Sequence, residues 1–293
     1  MEAPPWVEPE RKGDTRMSVW LTIPSARPPE EAEKCLKLWR ERGYKIALWV
    51  DEANFGVRKM DRVLRDPAGI YPGYASAVNS LIKDVMYMDP TAEWFVIGGD
   101  DVQPDPNKSA EEIAEECVEH FAELLIKNGT PVPGGIVLRE DASVTFGVMQ
   151  PTGDRWGENP NHPREDMRSA YIDRVAGSAW LGREFCRRVN GGRGPLWSGN
   201  PQAERKIDRK GYTHMFVDEE LRHVAVKLGI YWERPDLTHH HAHAGRVPNY
   251  NVDMIPPHLR KWTVGEEGKK HWKESEELFF ARRADSFPGH ECL

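Results

Sequence analysis

The chain has 293 residues with 39% hydrophobic and 30% charged side chains, which is the composition of an ordinary soluble globular protein. Its net charge of -7 argues against general coating of nucleic acids, and no apolar run approaches the roughly eighteen residues of a membrane span. The N-terminus lacks an apolar signal core and the four cysteines form no CxxC pair, so we expect a cytoplasmic protein without membrane contact.

Strands and helices alternate through the first half of the chain. Apolar runs predict strands over 18–25, 45–52 and 93–99, and helical spacing predicts helices over 28–43, 73–88 and 107–129. Later segments predict strands over 134–141 and 143–150, a loop over 151–163, helices over 179–189, 215–229 and 271–284, and a strand from 230. This alternation predicts an α/β fold with a mostly parallel sheet flanked by helices.

Polar and acidic residues follow the ends of three predicted strands. They are Ser25 and Arg27, then Asp51, then Asp100 and Asp101 in WFVIGGDDVQPD. Ligands of parallel α/β sheets bind outside these strand ends. Because neighbouring carboxylates repel, the aspartate pair indicates a cation, and carboxylates suit Mg²⁺ or Mn²⁺ bound to a substrate diphosphate. The alternative is a helix N-cap with a spectator acid, since a helix is predicted directly afterwards.

The run THHHAHAG over 238–245 is rich in imidazoles. On an extended segment His239, His241 and His243 share one face, and one of them can complete a metal shell begun by an aspartate. We favour His239 or His241 for that role. A solvated or core-packed histidine run is the alternative.

Basic residues concentrate in one segment of this otherwise acidic chain. The eight are Arg183, Arg187, Arg188, Arg193, Arg205, Lys206, Arg209 and Lys210. Such a segment is either a solvated surface or a platform for a polyanion such as DNA. Trp156 and Trp197 lie in neighbouring polar loops, where flat aromatic faces can stack on sugars or bases.

The order of these features resembles the nucleotide-sugar glycosyltransferases of the GT-A fold, particularly the inverting, family-2-like type, which includes phage-type DNA-modifying enzymes. The matching segments, in family order, are IPSARP, LWVDE, GYASAVNSL, IGGDDV, VAGSAWLGREFCRRVNGG, VDEELRHVAVKLG and IYWERPDLTHHH. The chain departs from the family in having GDD in place of a full DxD motif, and Asp218-Glu219 in place of Glu-Asp.

The resemblance spans roughly residues 18–245 and implies a division of the chain. We expect a loose arm over 1–16, a GT-A domain over 17–245 with a nucleotide-binding half (17–105) and an acceptor half (106–245), and a C-terminal extension over 246–293.

The resemblance also implies roles for individual residues. The metal, Mn²⁺ or Mg²⁺, falls to Asp101 with His239 or His241. Nucleotide contacts fall to Ser25, Arg27, Asp51, Gly73, Asn79 and Asp100. Sugar or acceptor contacts fall to Trp156, Gly177, Ser178, Trp197, Arg187 and Arg188.

The catalytic base implied by the resemblance is Asp218, with Glu219 in reserve, because Leu221 then matches the usual leucine of the family. A carboxylate in that position can take the proton of an acceptor hydroxyl as it attacks the sugar. A plain helix N-cap is the alternative for Asp218.

The implied activity is sugar transfer from a nucleotide diphosphate sugar, most readily a UDP-sugar, to an acceptor hydroxyl. The acceptor is a hydroxylated base in DNA, a glycan or a small molecule. A sugar-1-phosphate nucleotidyltransferase is a weaker alternative, because IPSARPP lacks the glycine-rich triphosphate loop of those enzymes. A non-catalytic nucleotide-sugar binding module is a further alternative.

Overall fold

The computed structural model describes residues 17–50, 60–66, 71–132, 135–137, 142–165, 168–243, 246 and 264–289. Within them the strands are β1 (Ser18–Ser25), β2 (Lys45–Val50), β3 (Arg62–Leu64), β4 (Ala92–Val96), β5 (Val102–Gln103), β6 (Thr130–Val132), β7 (Gly135–Val137), β8 (Val148–Pro151), β9 (Trp180–Gly182), β10 (Tyr231–Arg234) and β11 (His240–His241). The helices are α1 (Pro29–Glu41), α2 (Tyr74–Met88), α3 (Ala110–Asn128), α4 (Arg183–Gly192), α5 (Val217–Lys227) and α6 (Gly265–Ala284). None of these helices has both the length and the apolar character needed to cross a bilayer.

Seven strands form the central sheet in the order β10-β8-β9-β4-β1-β2-β3. The pairs β1–β2, β1–β4, β2–β3 and β8–β10 are parallel, whereas β9 runs antiparallel to both of its neighbours. The sheet is therefore mostly parallel with one reversed strand near its middle, which confirms the predicted α/β fold class.

Alternating side chains place two apolar layers on the two faces of the sheet. In β1, Leu21 and Ile23 belong to the cluster that includes α1 and α3, whereas Trp20 belongs to the cluster that includes α2, α4, α5 and α6. In β2, Leu48 and Trp49 divide in the same way. This period of two is what a strand buried on both faces requires.

Most of the predicted elements are present with ends close to those expected. Helix α3 begins at Ala110 because Ser109 caps it: the Glu112 backbone N–H donates to Ser109 Oγ at 3.3 Å. In return, the Ser109 backbone N–H donates to the Glu112 carboxylate at 2.7 Å. This reciprocal capping box satisfies two backbone donors that a helix start otherwise leaves without partners.

The helix predicted over 179–189 is wrong at its beginning. Trp180–Gly182 is strand β9, which pairs with β4 on one side and β8 on the other, and helix α4 starts only at Arg183. A Cβ on Gly182 would lie 2.0 Å from the Thr145 carbonyl oxygen, so only glycine permits this close approach. A short apolar run with central sheet partners forms a strand whatever its helical spacing suggests.

One other predicted strand is shorter than expected, and some strands were not predicted. The segment 143–150 contains β8, which has four residues and begins only at Val148, and the segment 134–141 contains β7, although 134 and 138–141 lie outside the described residues. The edge strand β3 and the two-residue strands β5 and β11 were not predicted, because so few residues give no periodic signal.

Helix α6, from the predicted C-terminal extension, packs on the larger apolar cluster. Leu278 and Phe279 are buried there together with Phe287, which follows the helix. This helix thus contributes to the same core as α2 and α5.

Arg183, the first residue of the basic segment, serves the fold. Its side chain is buried and donates from Nη1 to the Ala92 carbonyl at 2.9 Å and from Nη2 to the Met86 carbonyl at 3.2 Å. It therefore satisfies backbone acceptors where α2 ends and β4 begins, which water cannot reach.

We predict that Arg183→Ala destabilises the protein by roughly 2–4 kcal/mol, because buried carbonyls lose a charged donor and a cavity remains. Arg187→Ala on the same helix is the matched control, since that side chain is exposed and forms an ion pair with Glu184 at the surface. Urea denaturation of both variants measures the difference. Equal stabilities would show that Arg183 contributes no more than a surface arginine.

Candidate functional site

The carboxyl ends of β1 and β4 carry a hydrogen-bonded group of polar side chains. Ser25 Oγ donates to Asp100 Oδ2 at 2.6 Å, and Arg27 Nε donates to Asp100 Oδ1 at 2.8 Å. Both oxygens of Asp100 are thus engaged by residues that follow β1. The structure thus brings together three of the predicted nucleotide-binding residues. Arg27 also places its Nη2 atom 3.8 Å from Asp101 Oδ2.

Asp101 points to a different partner from Asp100. Its Oδ2 lies 3.4 Å from His241 Nε2 and 3.8 Å from the Arg27 guanidinium. Burial acts to raise the pKa of Asp101, but the hydrogen bond and charge of His241, with the charge of Arg27, hold that pKa below its ordinary value. Asp101 is therefore an anionic carboxylate beside an imidazole nitrogen.

Short backbone pairings bring the histidine segment to Asp101. Strand β11 pairs antiparallel with β5, which follows the aspartates directly, and the Ala242 N–H donates to the Asp101 carbonyl at 2.8 Å. Just before the histidines, the Thr238 N–H donates to the buried Asp105 carboxylate at 2.8 Å. Asp105 thus ties the turn before α3 to the segment that carries His241.

The alternate histidines have different surroundings. His239 is buried against Trp39 and its Nδ1 lies 3.1 Å from the Ser178 carbonyl oxygen, and burial lowers its pKa to about 4. His243 lies beside His241, with ring centroids 5.2 Å apart. Of the two predicted ligands, His241 contacts Asp101, whereas His239 has the surroundings of a core residue.

Asp218 and Glu219 form the first turn of α5 beside the residues that precede β9. The Ala176 N–H donates to the Asp218 carbonyl at 3.2 Å. A Cβ on Gly177 would lie 3.5 Å from Asp218 Oδ2, so the carboxylate faces this glycine. Burial, followed by the charge of Asp218, raises the pKa of Glu219. Of the two carboxylates, Asp218 is the one that faces Gly177.

Gly98, Gly177 and Tyr74 link the two acidic pairs. A Cβ on Gly98 would lie 3.7 Å from the Gly177 carbonyl oxygen, and Tyr74 donates its hydroxyl to the Gly98 carbonyl at 3.1 Å. Burial raises the pKa of Tyr74 above its ordinary value, and the charges of Asp218 and Asp101 add to this effect. The hydroxyl of the half-buried Tyr74 therefore lies within the electrostatic influence of both carboxylates.

Aromatic rings border this site on the side of the histidines. Trp156 packs on His243 at 4.9 Å and on Tyr171 at 5.9 Å between ring centroids. The charge of Asp218 is the main cause of the raised pKa of Tyr171. The Trp156–Tyr171 pair thus spans the distance between the histidine segment and Asp218.

Several residues predicted to contact ligand have hydrogen-bond or packing partners within the protein. Asn79 is buried, and its amide exchanges hydrogen bonds with the Leu196 backbone at 2.7 and 3.1 Å. Gly73 has φ of +89°, and a Cβ there would lie 3.0 Å from the Thr213 carbonyl oxygen. Trp197 is buried below the guanidinium of Arg282, 3.4 Å from its ring centroid. Asp51 lies outside the described residues.

The structure does not bring Arg187 and Arg188 to this site. Because β9 is antiparallel to β4, its last residue, Gly182, lies beside the beginning of β4. Asp101 follows the other end of β4, so the two residues lie at opposite ends of the strands. Helix α4 starts from the Gly182 end. Both arginines pair with Glu184, at 2.7 and 2.8 Å.

The GT-A resemblance implies a divalent metal, and the described residues can be compared with its needs. No three of their His, Cys, Asp or Glu side chains converge closely enough to hold a metal ion. Asp101 and His241 do present one carboxylate oxygen and one imidazole nitrogen to each other. Mg²⁺ and similar ions often take one or two protein ligands and complete their shell with phosphate oxygens and water. The residues therefore fit a metal that is shared with a bound diphosphate.

Three residues of this site were not among the predicted contacts. Tyr74 begins α2 directly after the predicted Gly73, and Tyr171 lies in a segment for which we predicted no element. His243 shares a face with His241, which was the available signal for it.

We predict that Glu219→Gln stabilises the protein increasingly as pH rises. Because the pKa of Glu219 is raised in the folded chain, that chain still holds the proton at pH values above about 4.5, where the unfolded chain releases it, so the wild type loses stability as pH rises past that value. Thermal unfolding at about pH 5 and about pH 8.5 should show a Tm gain for the variant that grows by a few degrees. Glu119→Gln, an exposed change on α3, is the control. A gain independent of pH would contradict the raised pKa.

Comparison with known proteins gives a fold likeness and no closer relationship. No family model matches the chain, and no curated protein matches it either. It is similar to a mutant Drosophila β-1,4-galactosyltransferase 7 in complex with manganese, UDP-Gal and xylobiose, at 11% identity and a TM-score of 0.38, covering 78% of this chain and 71% of that one. It is also similar to a glycosyltransferase involved in glycosylation of the major capsid of PBCV-1, at 12% identity and a TM-score of 0.36, covering 90% and 99%. A mannose-1-phosphate geranyltransferase from Thermus thermophilus follows at 10% identity and a TM-score of 0.32, covering 60% and 61%. Likeness at this level does not transfer an activity to this chain.

Proposed function

We propose that this protein is a metal-dependent glycosyltransferase that moves a sugar from a nucleotide diphosphate sugar, most readily a UDP-sugar, to an acceptor hydroxyl by inverting single displacement. The observation that carries the proposal is the pairing of two chemically different acidic centres at one sheet edge. Asp101 lies beside His241, Asp218 lies beside Glu219, and the two centres are linked through Gly98 and Gly177.

The Asp101 centre suits the diphosphate end of the donor. Asp101 and His241 would hold the divalent ion, which supplies positive charge to the leaving diphosphate when it is bound. The cation Arg27 belongs to the same group of side chains, and its ion pair with Asp100 fixes the position of its guanidinium. Ser25 and Asp100 present hydroxyl and carboxylate oxygens that suit ribose and base contacts.

The Asp218 centre suits the acceptor end. Asp218 faces Gly177, a position where a side chain would otherwise fill the space. Glu219 retains its proton because burial and its neighbour raise its pKa. Asp218 can then take the proton of the acceptor hydroxyl as that oxygen attacks the sugar.

A single displacement needs no covalent intermediate, and the described cysteines agree with that. Cys35 lies close to Asp100 and Asp101, but burial raises the pKa of its thiol to about 12. Burial also raises the pKa values of Cys117 and Cys186. A protonated thiol is a poor nucleophile, so these residues do not favour a double displacement.

We propose a glycan or small-molecule hydroxyl as the acceptor. Trp156 and Tyr171 lie between the histidine segment and Asp218, and flat aromatic faces suit sugar rings. The DNA acceptor stays a prediction: Arg187 and Arg188 start from the opposite edge of the sheet and pair with Glu184. Screening UDP-sugars with Mn²⁺ by thermal shift, followed by mass spectrometry on glycan, small-molecule and DNA acceptors, separates these classes.

The alternatives give different products from the same protein. A nucleotidyltransferase would release pyrophosphate from a sugar 1-phosphate and a nucleoside triphosphate. A binding module would bind a UDP-sugar with Mn²⁺ and leave it intact during long incubation. Release of UDP, with no pyrophosphate in the first assay, is the result expected here.

We predict that Asp101→Asn abolishes Mn²⁺-dependent binding of UDP, because the amide removes the anionic ligand next to His241. Isothermal titration calorimetry of UDP with and without Mn²⁺ measures this, with Glu111→Gln, an exposed change on α3, as the control. His241→Ala should weaken the same binding. Unchanged titrations in Asp101→Asn would remove the metal from this position.

We predict that Asp218→Asn lowers kcat by a factor on the order of 10² or more while binding of the donor stays within about twofold, which is the usual effect of losing a positioned base. Steady-state kinetics and calorimetry with the same UDP-sugar give the two quantities. If donor affinity and folding collapse together, Asp218 is a helix cap and not a base. Full activity would move the role to Glu219.

A further inference from the structure

The helix α6 contacts the chain on both sides of Asp218 and Glu219. We name residues 216–220 the base turn, because they contain the proposed base and its neighbour. Phe216 immediately precedes α5, and Glu220 belongs to the first turn of that helix. Side chains of α6 contact both residues: Arg282 pairs with Glu220, and Phe279 packs on Phe216.

At the Glu220 end, the contact with α6 is a buried ion pair. Arg282 is completely buried, and it donates to Glu220 from Nη2 to Oε1 at 2.7 Å and from Nε to Oε2 at 2.9 Å. Tyr212 donates its hydroxyl to the same carboxylate at 2.7 Å. A bidentate pair of this kind fixes direction as well as distance.

Arg282 is itself held from other directions. Its guanidinium lies over Trp197, 3.4 Å from the ring centroid, and Nη2 also donates to the Pro288 carbonyl at 2.9 Å. Asp208 lies 3.5 Å from Nη1. The guanidinium therefore cannot rotate away from Glu220 without losing several partners.

At the Phe216 end, the contacts with α6 are apolar, and they stabilise an uncommon backbone conformation. Phe216 has φ of +67°, in the left-handed region that non-glycine residues seldom adopt. Its ring packs on Trp272 at 5.2 Å and on Phe279 at 5.5 Å between centroids, and both of these belong to α6. A strained residue persists only where its surroundings determine its conformation.

We propose that α6 positions the catalytic base: Arg282 and Phe279 act as positioning residues that hold the base turn so that Asp218 faces Gly177. This inference rests on the proposed function, since Asp218 is a base only there. It gives the C-terminal segment a role in turnover, although none of its described side chains contacts the Asp101 centre. The two anchors flank Asp218 and Glu219, so loosening either one moves these carboxylates before it moves the donor contacts of Asp101.

The test uses two anchor variants and two controls from the same helix in the full chain. Arg282→Lys keeps the charge but loses the bidentate geometry, and Phe279→Leu keeps an apolar side chain but loses the ring. Arg283→Lys and Phe280→Leu change exposed neighbours in the same way. If Arg282→Lys does not fold, Phe279→Leu carries the same comparison alone.

Two measurements are made on each variant, at a temperature where circular dichroism shows it folded. Hydrogen exchange followed by mass spectrometry reports the backbone amides of the base turn. Hydrolysis of UDP-glucose and UDP-galactose with Mn²⁺ and no acceptor gives kcat and KM. We expect base-turn exchange to rise and kcat to fall at least about tenfold in both anchor variants, with KM within about twofold, while the controls match the wild type.

The outcomes separate this role from the proposed function. Faster exchange with unchanged kcat would overturn the positioning role and leave α6 as scaffold. Unchanged exchange in both anchor variants would show that α6 does not hold the base turn. If the wild type turns over no nucleotide diphosphate sugar, with or without the screened acceptors, the proposed function fails and the positioning role fails with it, whereas the exchange data still show whether the two anchors hold the base turn.

Discussion

The reversed strand β9 is the constraint on which the site depends. Because it runs antiparallel to β4, its first residue lies where β4 ends, and the chain just before it passes the aspartates. Gly177 and Ser178 therefore reach the edge that carries Asp101, and the hydrogen bond from Ala176 to Asp218 brings α5 to the same edge. A parallel strand in this position would deliver those residues to the other end of the sheet.

The adjacent aspartates are tolerated because they are directed to different partners. Asp100 accepts hydrogen bonds from Ser25 and Arg27, which lie at the end of β1, whereas Asp101 lies beside His241, which comes much later in the sequence. Each carboxylate thus has its own source of positive charge or hydrogen-bond donors. In the second acidic pair, burial and the charge of Asp218 raise the pKa of Glu219, which favours a neutral side chain over a second buried charge.

The sequence predicted the fold class, whereas it could not predict the contacts that individual side chains make across the fold. Strands and helices with long periodic patterns, such as β1 and α3, have the predicted positions because burial on two faces or on one stripe leaves a clear signal. Strand β9 was missed because three apolar residues before a helix carry no period of their own. Asn79 was expected at a nucleotide from the family resemblance of GYASAVNSL, and its hydrogen-bond partner, the Leu196 backbone, is too distant in sequence for a local pattern to reveal. The choice between His239 and His241 likewise depends on the pairing of β11 with β5, which no local pattern contains.

The placement of α6 has a consequence for the boundaries of any shortened form of the chain. Ending the protein at residue 245, where the family resemblance ends, would remove Leu278 and Phe279 from a shared core and uncover the apolar surface beneath them. It would also leave Glu220 as a buried carboxylate without its guanidinium, which is among the more costly changes a protein interior can undergo. A cut at residue 245 would therefore pass through one continuous apolar core, because α6 shares that core with α2 and α5.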